Sequence, residues 1–383
     1  PRGSDALPGG YGREMIELRV GHGLPDRRRL AMAKTPRLWV LAAIAAIGVV
    51  LIGCASQPTL REIVDGMPAK QLAAYDFDPA VPIAERIGSI PDDLLALYSR
   101  ADGVEYRRFE PDEDERSRLH QALSDLPRRH RDVLAGRLVA IYCIENFTGS
   151  GMADWILGPD DDVYAVLILH PRVFSMSASE LITLRASSAF RADDPESALK
   201  VELDEEVSAL DYIVLHESTH IVDYAERHTP CVEPSMIELV GPSERETAFT
   251  DEAWTGYDET APRFDFPHRS RLRYYGLAGD PLVSNRELAA AYAHLARTPF
   301  VSLYASANWA EDFAEYVTFY YLTQARGYSY ALRVRRAGEI VVELEPMRSP
   351  EVLDRARYLE PDLLAPAEDA ATAVARGGSI GIR

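Results

Sequence analysis

Two histidines four residues apart, with a glutamate between them, are the residues of this chain best suited to chemistry. They lie in the run His216-Glu217-Ser218-Thr219-His220. On a helix, residues four apart lie one above the other on the same face, so the two imidazoles can hold one zinc ion. The glutamate can reach a water molecule on that ion, and zinc lowers the pKa of such a water to about 7. This arrangement is suited to hydrolysing a peptide bond at neutral pH.

The residues around the motif predict a helix over residues 204–227. Its apolar residues recur at spacings of three, four and seven: Val207, Leu210, Val214 and Ile221. At about 100° per residue, His216 and His220 fall on a different stripe, so we expect them outside the core. The alternative is a solvated helix face that carries two histidines by chance, which a short motif does not exclude.

A zinc site needs a third protein ligand, and Glu311 is the candidate. Glu311 and Glu315 are four residues apart on a predicted helix, so both carboxylates point the same way. One can bind zinc while the other accepts the hydrogen bond of a zinc-binding imidazole. The alternative is a helix capping box of Asn308 and Glu311, with Glu315 an ordinary surface carboxylate. His228 lies two turns further along the predicted motif helix, too far to bind the same ion.

These two segments resemble the catalytic domain of gluzincin zinc metallopeptidases of the anthrax lethal factor type. The resemblance rests on the run HESTHIVDY and on a tyrosine followed, after six residues, by Glu-x-Phe-Ala-Glu. It implies the following roles: His216, His220 and Glu311 as zinc ligands, Glu217 as general base, Tyr304 as the residue that stabilises the transition state, and Glu315 and Asp223 as carboxylates that support the ligands. Residues 229–299 match nothing in that family, so the resemblance does not extend to substrate or partners.

The order of predicted elements indicates an α+β fold, and the resemblance implies that it is zincin-like. Residues 138–144 and 163–169 are runs of branched and aromatic residues that predict strands, and residues 148–154 between them predict a turn. A helix over residues 176–190 then precedes the motif helix, and residues 339–344 predict a further strand. We expect a small mixed sheet, an active-site helix and a mostly helical second lobe. In that fold a strand edge pairs with the substrate backbone.

The N-terminal part carries the pattern of a lipoprotein signal peptide. Lys34 and Arg37 precede sixteen apolar residues, 38–53, which end at Cys54. The ending Leu-Ile-Gly-Cys resembles a bacterial lipobox, after which Cys54 becomes the lipid-modified first residue of the mature protein. A transmembrane anchor is the alternative, but sixteen apolar residues are few for a full span. Ala55 after Cys54 favours, by resemblance to the proteobacterial sorting pattern, an outer-membrane location facing the periplasm.

These patterns divide the chain into six parts. They are residues 1–31, a mis-set gene start or expression remnant before Met32; 32–53, the signal peptide; 54–90, a proline-rich tether; 91–136, a helical N-terminal region; 137–360, the zincin-like metallopeptidase domain; and 361–383, a frayed tail.

Two further observations limit the class of protein. The formal net charge of −19 over 383 residues argues against a nucleic-acid partner. Besides Cys54, the chain has Cys143 and Cys231, which form either a disulfide in an oxidising compartment or two buried free thiols.

Together these features predict an envelope-anchored, zinc-dependent endopeptidase that acts on a protein or peptide. Two alternatives stay open: a non-catalytic binding lipoprotein on a zincin fold, and a zinc amidase that acts on cell-wall peptide. Glu217 favours an enzyme, because a degenerate scaffold has no need of a general base.

The first prediction concerns the anchor. Wild-type protein should incorporate radioactive palmitate and partition with membranes, and Cys54→Ala should do neither, because the lipid has no other attachment point in the lipobox. Labelling of the cellular protein followed by fractionation measures both properties. Equal labelling of the variant would rule out the lipoprotein hypothesis.

Overall fold

The computed structural model describes residues 58–241, 243, 247–277 and 279–365. The predicted signal peptide, Cys54 and most of the predicted tail lie outside these residues. In chain order the helices and strands are α1 (Leu60–Asp65), α2 (Asp92–Asp102), β1 (Arg107–Phe109), α3 (Glu113–Ser124), α4 (Arg128–Arg137), β2 (Leu138–Glu145), β3 (Gly151–Leu157), β4 (Val163–Leu169), α5 (Ala178–Ser188), β5 (Phe190–Arg191), β6 (Ser197–Leu203), α6 (Ala209–Glu226), α7 (Pro234–Val240), α8 (Ala248–Asp251), β7 (Val283–Ser284), α9 (Leu288–Leu295), α10 (Trp309–Tyr320), β8 (Tyr330–Arg336), β9 (Glu339–Leu344) and α11 (Pro350–Leu353).

The described strands form three small sheets. The largest has the order β1-β2-β4-β3, in which β2 and β4 run parallel while β1 and β3 are antiparallel to their neighbours. An antiparallel sheet of order β6-β8-β9 and the short parallel pair β5-β7 complete the set. The predicted α+β class with a small mixed sheet is therefore confirmed. The strands predicted over residues 138–144, 163–169 and 339–344 correspond to β2, β4 and β9.

The four-stranded sheet is buried on both faces. Along β4, Ala165, Leu167 and Leu169 pack into the larger apolar core, whereas Val166 and Ile168 pack into a second core on the opposite face. Successive side chains of a strand point to opposite faces. This two-sided burial explains why β4 is apolar at almost every position instead of alternating.

The predicted turn over residues 148–154 is wrong for its second half, because β3 begins at Gly151. A Cβ atom at Gly151 would lie 2.7 Å from Ile213 Cγ1 and 3.0 Å from Glu217 Cγ, so only glycine lets the strand approach α6 this closely. Gly151, which resembled part of a turn, lies instead at the point where the edge strand contacts the motif helix.

The motif helix is shorter than predicted. Ser208 caps α6 through a capping box with Asp211, and the preceding residues form a turn in which Val207 N donates to Asp204 O. At the other end Arg227 adopts the left-handed conformation with φ of 58°, which ends the helix. His228 therefore lies beyond the helix, where it contacts Glu226 rather than continuing the ligand face.

The two motif histidines are buried, so the expectation that they lie outside the core is wrong. Helix α6 packs against α3, α4, α5 and α10 and against strands β3 and β4. It is consequently covered on every side, and nearly all of its residues are buried. The apolar stripe correctly predicted one buried face of α6, but a stripe gives no information about what packs on the other faces of a helix.

The described part of the predicted tether is packed against the four-stranded sheet. Lys70 is buried, and its ammonium lies 2.6 Å from both carboxylate oxygens of Asp154 on β3. Arg86 is also buried and donates to the carbonyl oxygens of Leu134 and Leu138. Residues 58–90 therefore belong to the folded body, because they contribute two buried cations to it.

Cys143 and Cys231 are free thiols in the structure, so the disulfide alternative is not realised. Cys143 is buried within β2, whereas Cys231 lies after α6, where its carbonyl accepts a hydrogen bond from the Trp309 indole. Burial raises the pKa of each thiol to about 12. Both therefore stay protonated and unreactive near neutral pH.

The predicted lipid anchor at Cys54 lies outside the described residues and stays a prediction. None of the helices in the described part of the chain is long and apolar enough to cross a bilayer.

The second prediction tests whether the segment before residue 90 is part of the fold. Lys70→Met leaves the Asp154 carboxylate buried without a counter-ion, although the Tyr98 hydroxyl still donates to it, and should lower the free energy of unfolding by about 3–5 kcal/mol. The matched control is Lys200→Met: Lys200 is exposed, and within the described residues its ion pair is with Glu202, so its loss should change stability by less than about 0.5 kcal/mol. Urea denaturation of both variants makes the comparison. Equal stability of the two variants would contradict the packing.

Candidate metal centre

Helices α6 and α10 bring the three predicted ligands together. The Glu311 Oε2 atom lies 3.2 Å from His216 Nε2 and 3.3 Å from His220 Nε2. All three side chains are buried, and one donor atom from each lies within 4.8 Å of the other two. In the described ranges no other group of three His, Cys, Asp or Glu residues meets this distance condition.

The spacing of these donors fits a metal ion. Ligands bound to tetrahedral zinc at about 2.0–2.1 Å lie about 3.3 Å from one another, since the edge of a tetrahedron is about 1.6 times its radius. The observed separations of 3.2 and 3.3 Å between Glu311 Oε2 and the imidazole nitrogens match this value. Two imidazoles and one carboxylate are also a donor set that zinc accepts. The three residues could therefore hold a metal ion.

Glu311 serves in two ways at the start of α10. Its backbone N donates to Asn308 Oδ1 at 2.9 Å, so Asn308 caps the helix as the capping alternative required. Its carboxylate, however, faces the two histidines. The capping hypothesis is correct for Asn308 but does not account for the Glu311 side chain.

Glu315 is buried behind His216 and is not a surface carboxylate. Its Oε1 atom lies 3.1 Å from His216 Nδ1 and also accepts from Tyr212, while Ser302 donates to Oε2 at 2.7 Å. Burial alone would raise the pKa of Glu315, but the nearby Arg185 guanidinium and the His216 imidazole lower it to about 2. An ionised carboxylate at this position orients His216 with Nε2 directed to Glu311.

Arg185 on α5 is the residue that sequence reasoning missed. It is 5% exposed, and its Nη2 atom donates at 2.8 Å to both Glu315 Oε2 and Tyr212 OH. Its guanidinium carbon also lies 4.1 Å from the centre of the Tyr304 ring. The available signal was weak: Arg185 follows Leu181 by four residues and so falls on the buried face of α5.

A divalent cation would offset the excess of buried negative charge around the histidines. Glu217, Glu311 and Glu315 are buried carboxylates in this cluster, and Arg185 supplies one positive charge. Burial lowers the pKa of His216, but hydrogen bonds to Glu311 and Glu315 outweigh it and raise that pKa to about 9. The site thus stabilises positive charge between these carboxylates, as a metal-binding group does.

Glu217 connects the metal group to the edge of the sheet. Its Oε2 atom accepts a hydrogen bond of 2.8 Å from the backbone N of Ala153 on β3, and the side chain is buried. Because β3 is an edge strand, the predicted general base lies between the histidines and a strand edge.

The other two predicted site residues are Tyr304, which lies beside His216, and Asp223, which is bonded to the loop after α6. The Tyr304 ring centre lies 6.2 Å from that of His216, and the tyrosine is half-buried. Asp223 is buried, but its carboxylate accepts from the backbone N and hydroxyl of Thr229, at 2.8 and 2.6 Å. Asp223 therefore fixes the loop after α6, and its supporting role behind His220 stays a prediction.

The third prediction separates a ligand from a cap. Glu311→Ala removes a donor oxygen and should strip most of the zinc at micromolar metal, whereas the helix keeps its Asn308 cap. Asn308→Ala should keep stoichiometric zinc and lower stability by about 1 kcal/mol, because only the cap is lost. Metal analysis of dialysed protein and a thermal melt of each variant measure both effects. Stoichiometric zinc in Glu311→Ala would place the third ligand elsewhere.

The sequence and structure were compared with known proteins, and no match was found. No family model matches the sequence, and no curated protein or solved structure matches it. The functional argument therefore depends on the geometry of the cluster.

Proposed function

We propose that this protein is a zinc metallopeptidase of the gluzincin type on a zincin-like fold. The observation that carries the proposal is the buried group of His216, His220 and Glu311, with Glu217 on the same helix as the two histidines. A tetrahedral zinc ion on three protein ligands would keep its fourth position for water or substrate, which is the arrangement of a catalytic rather than a structural zinc site.

The proposal gives each of the predicted site residues the role that the resemblance implies. A zinc ion on the three ligands would polarise the scissile carbonyl and lower the pKa of a water molecule. Glu217 takes the proton of the attacking water and delivers it to the leaving amine. Tyr304 donates a hydrogen bond to the oxygen on which negative charge develops. Glu315 keeps His216 in one orientation, and Arg185 keeps Glu315 ionised.

A peptide is the substrate class that the strand edge favours. Ala153 N donates to Glu217, so this amide points away from β4 and toward the open side of β3. An extended peptide that added itself to this edge would place its backbone beside the general base.

The far end of the same edge is already occupied by another segment of the chain. Lys70 Nζ donates to Trp155 O at 3.2 Å, and Gln71 forms a bridge to Leu157, so residues 70–71 cover the far end of β3. The near end, at Gly151 and Ala153, is the end that contacts Glu217. Substrate pairing is thereby restricted to the residues next to the metal group.

The proposed location follows from the sequence. The lipobox at Cys54 implies a lipid anchor in the bacterial envelope, in the outer membrane facing the periplasm. The net charge of −19 suits a hydrated body at that surface and a protein or peptide partner rather than a nucleic acid.

The fourth prediction tests the general base. Glu217→Gln should retain its zinc, because Glu217 is not a ligand, and should lose peptidase activity by about 10²–10⁴-fold. Glu226→Gln is the matched control: Glu226 lies on the same helix but pairs with Arg129 and His228, so the rate should not change. Mass spectrometry of an unfolded protein mixture, with metal analysis of each variant, gives both results.

Three other outcomes would redirect the proposal. Full activity of Glu217→Gln would mean that another residue activates the water. Zinc-bound wild type that cleaves nothing would favour the binding lipoprotein. Cleavage of cell-wall peptide without cleavage of proteins would favour the zinc amidase, which shares the same site.

A further inference from the structure

The metal group is closed to solvent in this structure. His216, His220, Glu217 and Glu311 are 2%, 1%, 3% and 4% exposed. A peptide backbone cannot approach donors that are covered to this extent. Some part of the described chain must therefore move before a macromolecule reaches the site.

The segment of residues 272–277, here called the strap, lies beside the metal group and contacts the residues around it. Tyr275 OH is hydrogen-bonded to Ser150 Oγ at 2.9 Å, directly before β3 begins. Tyr275 N donates at 2.9 Å to the side chain of Ser188, the last residue of α5. The strap therefore joins the end of α5 to the open end of the edge strand.

The strap also contacts the proposed catalytic tyrosine. The Tyr274 ring packs edge-on against Tyr304, with ring centres 4.8 Å apart, and Tyr304 in turn lies beside His216. Two adjacent tyrosines of one segment thus contact the surroundings of the site: Tyr274 packs against Tyr304, and Tyr275 is bonded to Ser150 directly before β3.

The closed conformation contains two unfavourable features that opening would relieve. Tyr275 has a φ of 56°, in the left-handed region that a bulky side chain rarely adopts. The Tyr274 hydroxyl is buried and has no hydrogen-bond partner within the described residues. Gly276 follows with a φ of 74°, and glycine adopts such conformations readily, so a hinge can form at this point.

We propose that the strap is a gate, held closed by Tyr275 and Ser150, that must open before substrate reaches the metal group. That the entering molecule is a peptide rests on the proposed function. The closure itself does not, because the strap would restrict any solute, including the metal ion. Metal exchange can therefore test the gate without a substrate.

The experiment measures zinc exchange in the full chain. Tyr275→Phe and Ser150→Ala each remove the same hydrogen bond and should raise the open fraction about fivefold, as expected for one ordinary hydrogen bond. Stopped-flow transfer of zinc to a chelator gives the release rate, and mixing of apoprotein with zinc gives the binding rate. Both rates should rise about fivefold while the dissociation constant stays the same, because a gate acts equally on entry and exit. The double variant should match the single variants, because they break one shared bond.

Tyr75→Phe is the control variant. Tyr75 OH donates to Ala69 O on the other side of the sheet, so the same atom is removed without a change at the strap. Its zinc exchange should equal that of the wild type. Wild-type exchange rates in Tyr275→Phe and Ser150→Ala would overturn the gate, and so would a weakened zinc affinity in place of paired rate increases.

The peptidase assay separates failure of the gate from failure of the proposed function. Accelerated zinc exchange in a protein that cleaves nothing would support the gate and refute the peptidase. Unchanged exchange in a protein whose peptidase activity requires Glu217 would refute the gate and leave the peptidase supported.

Discussion

The neutralisation of buried carboxylates is the constraint on which the rest of this structure depends. Glu217, Glu311 and Glu315 are all buried around the two motif histidines. An unpaired carboxylate in a protein interior costs several kcal/mol, so each of these groups needs a cation or a set of donors. Arg185 compensates Glu315 from α5. Glu217 accepts from Ala153 N, and a divalent ion on the histidines and Glu311, which could hold one, would add the positive charge that the cluster otherwise lacks.

This requirement accounts for the central position of α6. A helix with ligands on one face needs α10 opposite that face, because Glu311 and Glu315 come from there. It needs α5 beside it, because Arg185 must reach Glu315. It needs β3 against it, because Glu217 is held by Ala153 N. The burial of α6 on all sides is therefore a consequence of the groups that its polar face has to contact.

Residue type and spacing predicted the parts of the site that depend on local geometry. His216, His220 and Glu311 could be found because helical spacing brings the donors of one helix to a common face. Strands β2, β4 and β9 could be found from their runs of branched residues. Arg185 and the packing of residues 58–90 depend on contacts between segments far apart in sequence, and a single arginine or lysine gives no sign of its partner. The start of strand β3 was missed because a glycine often indicates a turn. Gly151 is required here for another reason, the close approach of α6.

Burial strengthens the electrostatic interactions among the side chains of the site and also restricts access to them. Electrostatic interactions are stronger where water is excluded, so the buried carboxylates hold the histidines firmly in place. A peptide substrate requires the metal group to be reachable. The two demands are compatible only if the part that moves is separate from the part that holds the charges. Arg185 and Glu315 are fixed among α5, α6 and α10, whereas the strap reaches the residue before β3 through the Tyr275–Ser150 hydrogen bond. Breaking that bond removes no partner of Glu315, so a gate at the strap would leave the ion pair behind His216 intact.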